Sequence, residues 1–360
     1  MPVPPLRTRP TVEQLEERTL FSASLVHQEL HRPPTAIADV NGDGRADVIV
    51  GTASPFPGNE AGGAVGFDVY LNDGKGSMHF ATHIDCRDPD TTLAFDVAAG
   101  DVNGDGNNDV VLKLFSVTGQ PSPVGTGKEQ YKAVVFTGSG KGEFQQRATF
   151  VLPHVLDKRA TFVMPHVLER SGLAIGDLDG DGLGDIVSWN GMDVAAFMAG
   201  PRQTTSIEVQ FNPKEYTRIF TIGDLDSDGR ADLLFGEGSE LNYASVTFSA
   251  GVPKTDVNKI SAFTIKQSTV VAVGDLDGDG FPDDLIVMNG NSVAMGINDS
   301  STGGGIKVTE FDGQLGADPS QVLIGDLDGD GRDDAFVTAK EKPKQKERPR
   351  YFVGHVTLIK

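Results

Sequence analysis

Short apolar runs recur along this chain, and each pair of them brackets an acidic loop. Ala36-Ile37-Ala38, Leu173-Ala174-Ile175-Gly176, Val271-Ala272-Val273-Gly274 and Val322-Leu323-Ile324-Gly325 precede such loops. Val48-Ile49-Val50, Val110-Val111-Leu112, Leu233-Leu234-Phe235 and Leu285-Ile286-Val287 come after them. Continuous apolar runs of strand length, bounded by turn residues, predict strands buried on both faces. Further pairs succeed the early loops. Val69-Tyr70-Leu71 leads through Asn72 to Gly76 into Phe80, and Val134-Val135-Phe136 leads through Gly138 to Gly142 into Phe144. These are hairpins in which glycine supplies positive φ.

The loops share one pattern, Asp-x-Asp/Asn-x-Asp-Gly-x-x-Asp, beginning at Asp39, Asp101, Asp177, Asp224, Asp275 and Asp326 with spacings of 62, 76, 47, 51 and 51 residues. A repeat of roughly 40–60 residues points to a propeller or solenoid. The long spacing has a local cause: Arg147 to Lys158 (RATFVLPHVLDK) is duplicated as Arg159 to Arg170 (RATFVMPHVLER). The extra copy predicts a long connection, and its His154 and His166 read as duplicated loop residues rather than a metal pair. After the sixth loop, Asp334 to Lys360 suffice for two strands, and Ala23 to Leu30 supply one more. The expectation is an all-β chain folded as a single β-propeller, six blades of four antiparallel strands closed by an N-terminal strand, with seven blades as the alternative.

Composition agrees with many short strands: 44 Gly, 20 Pro and a mean hydropathy of −0.21. The net charge of −20 argues against nucleic acid or an anionic membrane surface as partner. No apolar stretch reaches the roughly 18–20 residues of a transmembrane segment. Cys86 is the only cysteine, so no intramolecular disulfide forms and the core and bound ions must hold the fold.

The acids are concentrated in the loops. The side chains at positions one, three, five and nine are Asp39, Asn41, Asp43 and Asp47 in the first, and Asp101, Asn103, Asp105 and Asp109 in the second. The third has Asp177, Asp179, Asp181 and Asp185, and the fourth Asp224, Asp226, Asp228 and Asp232. The fifth has Asp275, Asp277, Asp279 and Asp283, and the sixth Asp326, Asp328, Asp330 and Asp334. These loops hold 22 of the 51 acidic residues, so the chain without them would carry +2 instead of −20. In a curled loop these side chains converge on one point, glycine at position six permits the bend, and the carbonyl at position seven can complete an oxygen cage. Hard oxygen ligands without His or Cys select Ca2+ over transition metals, about six ions in all. An EF-hand is excluded, because its bidentate Glu is replaced at position twelve by Val50, Leu112, Ser188, Phe235, Ile286 and Val337.

On these loops, with Gly44, Gly106, Gly182, Gly229, Gly280 and Gly331 at the bend, the chain resembles the FG-GAP/VCBS-type repeat proteins, whose calcium loops are similar to those of integrin α-subunit propellers. The resemblance spans about residues 23–360 and implies one structural calcium per loop. Ser227 departs from the pattern, standing where the fourth position is usually Gly.

Residues 1–22 read as a leader. Pro2, Pro4, Pro5 and Pro10 interleave with Arg7 and Arg9, and there is no apolar h-region. Leu15-Glu16-Glu17-Arg18 is similar to a short segment at the start of many exported bacterial repeat proteins. The expected location is outside a bacterium or on its surface, where calcium would fill such loops.

No nucleophile elbow or zinc signature occurs, and none of the seven histidines falls in a catalytic motif. The reading is therefore a binding, adhesion or scaffold module for a protein or glycan ligand, not an enzyme. The alternatives are a propeller enzyme acting on glycans as lyase or hydrolase, and a purely structural surface protein. Lys340 to Arg350, KEKPKQKERPR, reads as a solvated loop.

Overall fold

The computed structural model of the chain describes residues 20–22, 36–52, 65–75, 77–87, 91–118, 128–152, 171–190, 193–199, 206–210, 217–249, 252–266, 269–290, 292–298, 306–311, 318–340 and 351–358. Every regular element among them is a β-strand, and no helix is long and apolar enough to cross a membrane. The segments 153–170 and 341–350, with His154, His166 and most of the basic run, lie outside the described residues.

The first strand is β1 (Leu20–Ser22). β2 (Ala36–Ala38), β3 (Asp47–Thr52), β4 (Gly66–Asn72) and β5 (Met78–Asp85) pair in chain order as one antiparallel sheet. The same order holds for β6 (Thr91–Gly100), β7 (Asp109–Thr118), β8 (Lys128–Gly138) and β9 (Phe144–Leu152). It holds again for β10 (Ser171–Gly176), β11 (Asp185–Asn190), β12 (Asp193–Phe197) and β13 (Ser206–Gln210). The next sheet is β14 (Thr217–Gly223), β15 (Asp232–Glu237), β16 (Glu240–Ser249) and β17 (Val252–Thr264). After it come β18 (Thr269–Gly274), β19 (Asp284–Asn289), β20 (Ser292–Asn298) and β21 (Ile306–Phe311). The last sheet joins the two ends of the described chain. β22 (Asp318–Gly325), β23 (Asp334–Lys340) and β24 (Tyr351–Leu358) are completed by β1, with Leu20 opposite Leu358 and Ser22 opposite Val356. The sequence pattern puts this strand in residues 23–30; the pairing strand comes earlier, inside the segment read as a leader, and residues 23–30 lie outside the described residues.

The first strands of successive sheets pack side by side: β2 on β6, β6 on β10, β10 on β14, β14 on β18, β18 on β22, and β22 back on β2. This is a β-propeller arrangement. One hydrophobic cluster fills each gap between neighbouring sheets, and the second strands explain how. Ile49 of β3 enters the cluster shared with β6 and β7, while Val48 and Val50 on its other face enter the cluster shared with β23. Val111 and Val110 of β7 divide in the same way, as do Leu234 and Leu233 of β15. A strand that supplies two cores needs apolar residues at consecutive positions, hence the unbroken runs. Full burial of each such side chain contributes roughly 1.5–3 kcal/mol. The outer strand β9 reverts to strict alternation of more and less exposed positions.

Glycine at the end of the first strand has a packing cause. A Cβ on Gly100 would stand 2.8 Å from Ile175 Cγ2, on Gly223 2.4 Å from Val273 Cγ1, and on Gly274 2.2 Å from Ile324 Cγ2. Each glycine therefore receives a β-branched side chain from the next sheet's first strand. The first sheet ends instead in Ala38, and the corresponding position of the next strand holds the smaller Ala99. Small meets small there, and the spacing of the ring is kept.

Candidate metal centres

Each acidic loop connects the first strand of a sheet to its second, so all six lie at one end of the ring. The leading aspartate organises the turn. Asp39 Oδ1 accepts the Gly42 N–H at 2.7 Å and Oδ2 accepts the Gly44 N–H at 2.8 Å. Asp101, Asp177, Asp275 and Asp326 accept from the equivalent glycines at 2.7–2.8 Å. Those amides reach inward because positions four and six take positive φ, from 75° at Gly42 to 94° at Gly280. Gly is the residue that adopts this region without strain. In the fourth loop Ser227 adopts it at φ 59°, the one non-glycine with positive φ among the described residues.

The ninth-position carboxylates are sunk at the start of the second strand. Asp47, Asp109 and Asp185 have no exposure, and Asp232 and Asp334 are 1% and 4% exposed. One oxygen caps the loop, accepting the N–H of Val40, Val102, Leu178, Leu225 or Leu327 at 2.8–3.1 Å. In three of these sheets the other oxygen accepts a backbone N–H at the end of the third strand, from Asn72 (2.9 Å), Gly138 (2.9 Å) or Ala199 (2.7 Å).

The fifth loop corrects the sequence reading. Asp283 does not take the ninth-position role; Asp284 does, with Oδ2 accepting the Leu276 N–H at 2.9 Å and Oδ1 the Asn298 N–H at 2.8 Å. The register agrees, since Gly274 pairs with Asp284 where Gly223 pairs with Asp232. The loop carries one extra residue, and counting to nine stops one short. Asp283 turns to the neighbouring loop, where its Oδ2 accepts the Ser227 hydroxyl at 2.9 Å.

Four loops bring one oxygen from each of three carboxylates within 4.8 Å of one another: Asp177, Asp179 and Asp185; Asp224, Asp226 and Asp232; Asp275, Asp277 and Asp279; Asp326, Asp328 and Asp334. In the first and second loops the third position is an amide. The carbonyl oxygens of Asn41 and Asn103 accept the N–H of Asp43 and Asp105, each at 2.9 Å. Fifth-position Asp181 and Asp330 accept the N–H at position seven, from Leu183 and Arg332, both at 3.0 Å. At Asp43 and Asp228 the seventh-position guanidinium joins as well, with Arg45 Nη2 at 2.8 Å and Arg230 Nη2 at 2.9 Å.

The electrostatics fit a cation. Burial pushes the Asp284 carboxyl up to about 8 and those of Asp185, Asp232 and Asp334 up to about 7, with neighbouring loop carboxylates adding to the shift. Asp47 rises to about 6 and Asp109 moves the same way, again first by burial. Backbone N–H groups oppose these shifts without cancelling them. Clustered carboxylates that resist ionisation for want of compensating charge are a donor set that a hard divalent ion would satisfy.

The loops are also tied to one another through groups that the acidic pattern does not reveal. The position-eight N–H donates to the carbonyl of the preceding loop's leading aspartate: Ala46 to Asp326 (2.6 Å), Gly184 to Asp101 (2.9 Å), Ala231 to Asp177 (2.6 Å) and Asp333 to Asp275 (2.7 Å). In the second loop Asn108 Nδ2 reaches the Asp39 carbonyl at 2.8 Å. The fourth and fifth loops are joined instead through side chains, the Ser227 hydroxyl donating to Asp283, which precedes the buried Asp284 as Asp333 precedes Asp334. Two buried amides add cross-links. Asn72 Nδ2 donates to the carbonyls of Ala46 and Leu327, and Asn298 Nδ2 to that of Leu225. Their signal in the sequence is faint, an Asn at the close of the third strand.

Residues 39–112 and 177–235 match the FG-GAP-like repeat. No curated protein matches the chain by sequence. Among solved structures the chain is similar to the NanB sialidase of Streptococcus pneumoniae (9% identity, TM-score 0.55, 94% of this chain and 69% of that one). It is also similar to the major allergen Mala s 1 of Malassezia sympodialis (11% identity, TM-score 0.50, 89% and 92%). An Agrocybe aegerita lectin that recognises non-reducing terminal N-acetylglucosamine aligns at 17% identity and TM-score 0.49, over 88% and 79%. At these identities the likenesses show the fold alone.

Proposed function

The chain is an FG-GAP repeat protein, and from that premise we propose that it is an exported six-bladed propeller whose loops hold calcium and whose ring serves as a binding or scaffold module. The observation that carries the calcium reading is the convergence of three carboxylates in each of four loops, within a loop form that the sequence repeats six times. The ligands in each loop would be the side chains at positions one, three and five together with the buried carboxylate, which is Asp284 in the fifth loop. Bound calcium would supply the positive charge these oxygens lack and fix the loops that link one sheet to the next. A structural ion fits residues that already serve the fold, since the ninth-position carboxylates, with Asp284 in the fifth loop, each accept at least one backbone N–H. Export agrees with this reading, because such loops fill at extracellular calcium levels.

Thermal unfolding tests it. A ligand bound only to the folded state stabilises by RT ln(1 + [L]/Kd), about 1.4 kcal/mol per site at tenfold saturation. With several sites the melting temperature in millimolar calcium is expected to exceed that in excess EGTA by more than about ten degrees, with little effect of magnesium. Coincident curves would sink the calcium reading and the export argument with it.

The second reading is an enzyme acting on glycans. What favours it is the presence of Asp96 and Arg218 on the wall of the ring's central channel, with Lys113 buried opposite Asp96, on a fold that NanB sialidase shares. Turnover of chromogenic glycosides or of polymeric uronate, abolished in Asp96→Asn with the fold intact, would establish that reading over the first.

A further inference from the structure

The inner strands enclose a central channel of about 470 Å³ whose two ends differ in chemistry. Toward the loops it is walled by Ala99, Ile175, Val273 and Ile324. Toward the other face it is lined by Asp96, Arg218 and Gln321, five or six residues before the leading aspartates of their loops. At about 3.3 Å per residue that places them about 16–20 Å from the candidate metal centres.

Trp189 reaches this polar end from a second strand. Its register partner Gly172 has no side chain, and a Cβ there would stand 2.0 Å from Trp189 Cζ2 and 2.6 Å from Nε1. The indole occupies that space and lines the channel. It is 5% exposed, and its Nε1 has no hydrogen-bond partner among the described residues. The N–H is not sealed from solvent, since Arg45 Nε is the one fully buried side-chain donor without a partner among the described residues, and the indole N–H is thus open to a ligand. Lys113 fixes this wall from behind, donating to the carbonyls of Gly172 at 3.0 Å and Trp189 at 2.6 Å.

Charge selects the ligand. Asp96 stands opposite Lys113 in the pairing of β6 with β7, so the two formal charges offset. Arg218 adds a further cation, its guanidinium held over the Phe220 ring at 5.2 Å with Nη1 donating to the Thr269 carbonyl at 3.1 Å. The formal charge of these three groups is positive in a chain of net charge −20. We propose that this end of the channel binds a small hydroxylated carboxylate the size of one sugar acid: the carboxylate against Arg218, a hydroxyl against Asp96, and an oxygen accepting from Trp189 Nε1. The channel volume lies within the range of small-molecule pockets. The proposal rests on reading the chain as a binding module and names the face and ligand class that module would use.

Trp189 is the sole tryptophan, so its emission reports the site directly. The experiment titrates the full chain, at saturating calcium, with D-glucuronate and separately with D-glucose while recording that emission. A saturable change with glucuronate is expected, at least tenfold weaker with glucose, and weakened at least tenfold in Arg218→Gln. Should Arg218→Gln lower the melting temperature, Arg218→Lys decides, since it keeps the charge without the planar fork and is expected to bind with intermediate affinity. No saturable change up to about 50 mM glucuronate, or equal affinity for the two sugars, would overturn the proposal. An intact calcium-dependent melting shift alongside that failure would leave the loop reading standing; loss of the shift with binding intact would remove the loop reading alone.

Discussion

The Ser227 hydroxyl donates to Asp283 Oδ2 at 2.9 Å across the gap between the fourth and fifth loops, a junction without the backbone N–H bond to the leading aspartate's carbonyl that joins four of the others. Two departures from the repeat thereby account for each other. Ser227 holds a positive φ of 59° that costs a non-glycine residue on the order of 1 kcal/mol, and its hydroxyl replaces the missing inter-loop bond. Ser227→Ala keeps the strain and loses the bond, so it is expected to lower stability by about 1–2 kcal/mol. Ser227→Gly loses the bond but relieves the strain and is expected to fall within about 0.5 kcal/mol of the parent chain. Equal melting temperatures for the two variants would mean that strain at this position is negligible.

The extra residue of the fifth loop makes a sharper prediction. Asp284 accepts three backbone N–H bonds from a buried position, from Leu276, Asp277 and Asn298, whereas Asp283 bonds the neighbouring loop. Asp284→Asn should reduce the calcium-dependent gain in stability by about one site's share, roughly 1.4 kcal/mol at tenfold saturation. It should also destabilise the calcium-free chain by about 1–3 kcal/mol through weakened buried caps. Asp283→Asn should leave the calcium-dependent gain unchanged. Calorimetric counting of bound calcium in both variants separates the two residues.

The repeated loops and the doubly buried second strands are legible in the sequence because each is a local pattern: carboxylates at fixed spacing, and apolar residues at consecutive positions. Asp283 and Asp284 are not separable that way. Both are aspartates, the count of nine favours the first, and strand register alone decides for the second. The inter-loop ring is invisible for a different reason. Most of its bonds join backbone N–H to backbone carbonyl, and these leave no side-chain signature. The channel combines side chains from strands more than a hundred residues apart, among them Asp96 and Arg218, which no spacing rule connects.

Glycine at the strand ends sets the spacing of the ring, and its removal should be reparable. Gly274→Ala would place a Cβ 2.2 Å from Ile324 Cγ2 and 2.6 Å from Asp333 Oδ2. Overpacking of this kind costs about 1–3 kcal/mol. The junction of Ala38 with Ala99 shows the compatible combination, so Ile324→Ala in the same chain is expected to return part of the loss. Chemical denaturation of the two single variants and the double measures the coupling, and additive losses would mean that the contact is not the cause.

The Asp96–Lys113 pair yields a pH dependence whose sign differs between its two halves. Burial raises the Asp96 carboxyl to about 7 and depresses the Lys113 ammonium to about 7, each opposed by the other's charge. In Lys113→Met the carboxyl loses its cation and burial acts unopposed. A carboxyl raised on folding gives stability that is full below its unfolded value near 4 and is lost as pH climbs through the folded one. This variant should therefore weaken from pH 5 to pH 8. In Asp96→Asn the buried ammonium loses the charge of that carboxylate, and burial depresses its folded value. Its contribution is full above the unfolded value near 10.4 and is lost as pH falls through the folded one, so this variant should weaken from pH 10 to pH 7. Removing either partner alone should cost about 3–5 kcal/mol, while the double variant, with neither charge buried, should recover much of it and serve as the reference in which every other titrating group cancels. Melting curves of the three variants at saturating calcium measure this directly, and parallel pH profiles would mean that the two charges do not share one buried site.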